Sequence, residues 1–167
     1  MIEWRGTGDD FVGLAVTGYE FPQITDGHDG NWLTISAAVR NAGGSWKAES
    51  SCLFTWDLVS LIDFLGDVEA GSADTWICMD LDLAITSLGR SHGKAWLAVA
   101  LSYGLRNPAL PAGEDARDLV IVTCTPEALT ASRAALERAT VTFPPRGGQG
   151  RRGLAAMRSR GRRSPSL

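Results

Sequence analysis

Apolar residues along this chain fall into two rhythms, and the changes between them set the expected fold. "DFVGLAVTGYEF" (Asp10 to Phe21) is rich in β-formers and is stopped by Pro22. In "NWLTISAAVRN" the alternation is clean. Leu33, Ile35, Ala37 and Val39 point one way and Thr34, Ser36 and Arg40 the other, the mark of a half-buried strand. "NAGG" (Asn41 to Gly44) accepts the positive φ of a tight hairpin turn, and a third strand follows with Trp46, Ala48, Cys52 and Phe54 in phase. At Thr55 the period lengthens. Leu58, Leu61, Ile62 and Leu65 recur at helical spacing and predict a helix over Thr55 to Val68. Thr55 is its expected N-cap, Asp57 sits in its first turn and Gly71 ends it. Its outward face is read as Asp57, Ser60, Asp63 and Asp67.

Period two then returns. In "DTWICMDLDLAITSL" Ile77, Met79, Leu81, Leu83 and Ile85 share a face, and after the turn "GRSHG" Ala95, Leu97, Val99, Leu101 and Tyr103 continue it. "LVIVTC" is a short buried strand, and "TPEALTASRAALERA" a second helix, Pro126 to Ala139, capped by Thr125. The expected fold class is therefore α+β: six or seven mainly antiparallel strands, a crossover helix near 55–68 and a C-terminal helix near 126–139. One domain is expected over 1–143. Residues 144–167 are low in complexity, rich in Arg and expected to be disordered, so that deleting Arg146 to Leu167 leaves the thermal midpoint nearly unchanged.

Charge sharpens this division. The whole chain carries a formal −3, yet Pro144 to Leu167 hold seven arginines and no acidic residue. That leaves nine basic against all 19 acidic residues in Met1 to Phe143, a net −10. A body of that charge repels nucleic acid and attracts basic partners over long range. The tail's "RGGQGRRG" lacks interleaved aromatics and reads as a solvated basic segment rather than an RNA-binding one. Without an apolar run of about 20 residues no membrane span is expected. Cys52, Cys78 and Cys124 stand far apart and read as small buried side chains of a cytoplasmic protein.

Candidate chemistry is sparse. The two histidines, His28 and His92, lie in Gly-flanked turns with no nucleophile motif nearby. "DGHDGN" (Asp26 to Asn31) lacks the spacing of a calcium loop and reads as turn chemistry. Asp80 and Asp82 of "MDLDL" read as a solvated strand face. No catalytic residue, metal ligand or cofactor is assigned. The remaining candidate is a partner-binding surface made of Asp57, Asp63 and Asp67 on the crossover helix, with Asp26 and Asp29 of the turn.

"VTGYEFP" (Val16 to Pro22), "DGNWLTI" (Asp29 to Ile35) and "SCLFTWDLVSLIDFL" (Ser51 to Leu65), in that order and spacing, resemble the WapI-like family, and "DLDLAI" before a Gly turn also fits. The resemblance covers Met1 to Leu105 well. The family takes its name from a bacterial immunity protein that neutralises the nuclease domain of a wall-associated contact-dependent inhibition toxin. The resemblance thus implies a cytoplasmic, non-enzymatic antitoxin that binds a basic toxin domain. The alternative is a β-rich ligand- or protein-binding module of unrelated role.

Overall fold

A computed structural model describes residues 1–111 and 116–148. The fold is α+β, with one antiparallel sheet of eight strands and two helices. The strands are β1 (Ile2–Gly6), β2 (Phe11–Tyr19), β3 (Trp32–Asn41), β4 (Gly44–Phe54), β5 (Thr75–Ile77), β6 (Leu83–Ser91), β7 (Lys94–Ser102) and β8 (Arg117–Cys124). Helix α1 spans Thr55–Ala70 and α2 spans Pro126–Thr142. The sheet order is β4-β3-β2-β1-β8-β7-β6-β5: two meanders of four strands, joined where β1 lies beside β8.

This order makes α1 a bridge from one edge strand to the other. Sixteen helical residues span about 24 Å. Seven gaps between neighbouring strands, laid flat, span about 34 Å. The helix alone falls short of that width, and the sheet curls so that its edges approach each other. Trp46 of β4 donates its indole N–H to the Leu105 carbonyl beyond β7 (3.1 Å), and Ser50 of β4 donates to Asp82 in the β5–β6 turn (2.6 Å). Both helices lie in the hollow. α1 is tied along its length: Thr55 donates to Asn31, the Trp76 indole donates to Ser60 (2.8 Å), and Arg90 donates to the Glu69 carbonyl. The indole of Trp4 likewise donates to Ser132 of α2 (3.0 Å). The hollow face and the helices share one core that runs through Leu33, Ile35, Leu58, Leu65, Leu97, Val99 and Leu129, all 2% exposed or less. Cys52, Cys78 and Cys124 are buried free thiols within it.

Four expectations change. The strand count is eight because Ile2–Gly6, unassigned in the sequence, forms β1, with Ile2 and Trp4 inward. The apolar run from Ile77 to Ile85 is not one strand. The chain turns between β5 and β6, so Trp76, Leu83 and Ile85 are buried while Ile77, Met79 and Leu81 are exposed. In β4 a bulge at Cys52, between the pairs Thr34–Ser51 and Leu33–Leu53, breaks the alternation and buries Cys52, Leu53 and Phe54 in succession. On α1, Phe64 is buried and Ile62 only partly so, while Ser60, read as outward, is drawn in by Trp76.

The expected tail lies, from residue 149 on, outside the described residues. Its first arginine does not behave as a tail residue. The Arg146 guanidinium sits 3.3 Å over the Tyr19 ring and donates to the carbonyls of Phe21, Pro22 and Ile24. A truncation after Gly148 keeps these contacts and sets the reference thermal midpoint. One that also removes Arg146 should lower it by several degrees, a difference that differential scanning calorimetry of the two truncations reads directly.

Candidate partner-binding surface

The five aspartates expected to form a surface do not form one. Asp63 and Asp67 are exposed one turn apart on α1. Nearby Glu69 is engaged with Arg133 at 3.3 Å. Asp26 and Asp29 are exposed too, but in the loop that Asn31 ties to Thr55 at the start of the helix. At 1.5 Å per residue, Asp63 and Asp67 lie about 12 and 18 Å further along the axis. Asp57 is not on the surface at all. It is 3% exposed, and its carboxylate accepts the Phe54 backbone N–H (2.8 Å), with the Met79 backbone close enough to favour its charged form. Phe54, not Thr55, is the N-cap residue, and Asp57 closes the first turn against the β5–β6 turn. Burial lifts its pKa to about 6. Helical arithmetic already separates it from the others. At 3.6 residues per turn Asp57 stands about 120° from Asp63, and it shares its side with Leu61 and Phe64, both buried.

The stretches that carry the family resemblance meet in space. Asn31, fully buried, is their hub. Its side-chain N–H groups donate to the carbonyls of Gly27 (2.9 Å) and Arg146 (3.0 Å), and its oxygen accepts from Thr55 (3.1 Å) and from the Arg146 backbone N–H (2.8 Å). Beside it, Phe54 stacks on Trp56 at 4.4 Å, Trp32 packs on Phe54 at 3.9 Å, and the His28 ring meets both Phe54 and Trp56 edge-on. Tyr19 packs on Phe143 at 5.5 Å and under Arg146. These residues join the loop after β2, the start of α1 and the end of α2. Their task is to hold three segments together. His92 lies apart, at φ 51° in the β6–β7 turn.

A surface that the sequence reading missed lies on the open face of the sheet. The register places Ile77, Ala84, Ala100 and Leu119 side by side across β5, β6, β7 and β8. Ile77 and Leu119 are 52% and 55% exposed at the two ends, with alanines as the floor between them. Leu81 and Tyr103 flank the row, both exposed and both at positive φ, 64° and 43°. That backbone costs a residue with a Cβ about 1–2 kcal/mol, so something must hold it. Asp82, 4% exposed, does so. Its carboxylate accepts from Ser50 (2.6 Å) and the Gly104 N–H (3.2 Å), and its carbonyl accepts the Ser102 N–H (2.8 Å). Asp82 is thus an anchor, not the solvated strand residue expected, and burial raises its pKa. The result is a depression of about 290 Å³ over Ala84 and Ala100, edged by the apolar Ile77, Leu81 and Tyr103 and by the polar Ser102 and Arg117. Contiguous exposed apolar surface of this kind marks interaction sites in soluble proteins.

The model of the immunity protein WapI-like family matches residues 1–144 of the chain. No curated protein and no solved structure gives a match. Among the described residues no helix is long and apolar enough to cross a membrane.

Proposed function

The chain belongs to that family, and from this premise we propose that it is an immunity protein that acts by binding, without turnover. It meets a toxin's nuclease domain in the cytoplasm and blocks it. The observation that carries this reading is the apolar row on the open sheet face, set by strand register and flanked by Leu81 and Tyr103, whose backbone a buried carboxylate holds. Rigid presentation of large apolar side chains lowers the ordering cost of association. The charge of the body supports a basic partner. A nuclease binds phosphates and must present cations around its cleft, and a partner of net −10 is drawn to such a surface over long range.

The first experiment is to purify the tagged chain from its own host, identify the retained protein, and titrate that protein's nuclease activity with the chain. Loss of activity at one equivalent is expected. Undiminished activity at a large excess overturns the proposal.

Two kinds of substitution then act differently. Asp63→Lys with Asp67→Lys should slow association with the basic domain, more at low ionic strength than at high, because exposed charges act through the screened field. Leu119→Ser with Tyr103→Ser should leave association nearly unchanged and speed dissociation by about 10- to 100-fold, as loss of apolar anchors does. Surface plasmon resonance at two salt concentrations separates the effects. If neither pair of substitutions alters either rate, the contact lies elsewhere.

A further inference from the structure

Between the hollow of the sheet and the two helices lies a cavity of about 300 Å³. Protein interiors are close-packed, and voids larger than a water molecule are few, so a space of this size is not ordinary slack. It is blind at one end. The deep wall is made by Leu53, Leu58, Leu61 and Leu83, all 3% exposed or less and belonging to β4, α1 and β6. At the other end it is bordered by Met1, 71% exposed, and by Arg138 and Thr142 on α2, also exposed.

The lining fixes what the cavity can hold. Its deep end offers no side-chain polar atom, and a buried water needs two to four polar partners, so an apolar guest suits the space and water does not. At about 30 Å³ per water-sized group, the volume takes a chain of about eight to ten carbons. The rim decides the head group. The lining includes no carboxylate, and Arg138 forms no ion pair with any described acidic residue. The terminus of α2 there carries a partial negative charge, and of its last four carbonyls that of Ala139 already accepts the Phe143 N–H. The full charge of Arg138, beside the Met1 backbone, outweighs the remainder.

We propose that this cavity binds a single medium-length alkyl chain with an anionic head group, the chain running inward to Leu58 and Leu83 and the head group held at the rim by Arg138. This goes beyond toxin binding and does not depend on it.

The test uses the full chain and three probes of equal chain length: decanoate, decanol and decyltrimethylammonium. Isothermal titration and the thermal midpoint are the readouts. Decanoate should bind with a stoichiometry of one, raise the midpoint, and bind more tightly than the cationic probe. Arg138→Glu, an exposed change that leaves the core alone, should weaken decanoate by about three- to tenfold while sparing decanol. Ala135→Leu, which fills the space, should weaken all three probes. Should Ala135→Leu fail to fold, the Arg138 variant still decides the matter. Failure of decanoate to bind, equal affinity for the cationic probe, or an unchanged decanoate affinity in the Arg138 variant would each overturn the proposal.

Discussion

Replacing Asn31 with alanine should lower the unfolding free energy by about 3–5 kcal/mol, one of the largest effects expected of any polar substitution in this chain. Asn31 is fully buried, and all its hydrogen-bonding capacity toward Gly27, Thr55 and Arg146 is used. Alanine leaves two carbonyls, one hydroxyl and one backbone N–H without partners in a site that water does not reach easily, and each orphan costs about 1–3 kcal/mol before relaxation. Relaxation takes a specific form. The end of α2 is tied to the loop through Asn31 and Arg146, so both segments should loosen together. Urea unfolding measures the loss, and hydrogen exchange should show faster exchange at Gly27 and Arg146. Asn31→Asp should be worse still, since a carboxylate supplies no donor and buries a charge. A loss below about 1 kcal/mol for alanine would mean that the three segments do not depend on this side chain.

The second large effect depends on pH. Asp57 titrates near 6 in the fold against 3.8 in the reference state, because burial penalises its charged form more than the Phe54 and Met79 N–H groups favour it. A raised acid pKa means that the folded chain holds its proton more tightly than the unfolded chain. Above pH 6 both states are ionised and the buried charge costs about 3 kcal/mol. As pH falls from 6 towards 4 the folded state takes up a proton that the unfolded state does not, and stability rises. Below 3.8 the cost is gone. Asp57→Asn keeps an oxygen for the Phe54 N–H and carries no charge. The variant should be more stable than the parent by about 3 kcal/mol at pH 7.5 and by only about 1 kcal/mol at pH 4.5. The difference between the two proteins isolates Asp57 from the raised pKa of Asp82, which acts in the same direction. A difference that does not change with pH would show that the Asp57 charge is not what its site disfavours.

The parts of this fold legible in the sequence are those where one chemical pattern had one reading. β3 alternates because one face is buried and the other wet, and α1 announces itself by a change of period and by Gly71, which ends it at φ 79°. The β5–β6 turn was illegible because Met79 and Leu81 continue an apolar alternation while facing solvent; only the paired edges reveal that the chain has turned. The candidate surface suffered from the same ambiguity in reverse. Asp57 looked like a solvated acid because an aspartate in a first helical turn usually is one. Its burial depends on a turn some twenty residues later in the chain. The row Ile77, Ala84, Ala100, Leu119 could not be read at all, since it exists only through the register of four strands.

The meeting of β1 with β8 bears on how the chain reaches this state. Their register covers only Arg5 with Thr123 and Gly6 with Val122, residues 118 and 116 positions apart. Each meander can pair from local contacts, but this joint must wait for the far end of the chain, and closing so long a loop for so short a ladder is slow. During synthesis the first four strands and α1 leave the ribosome together, while β1 keeps a bare edge and the hollow lacks α2. That half-made state is where mispairing with another nascent chain is most accessible. The rate at which new copies become competent is then set by the last strand to arrive.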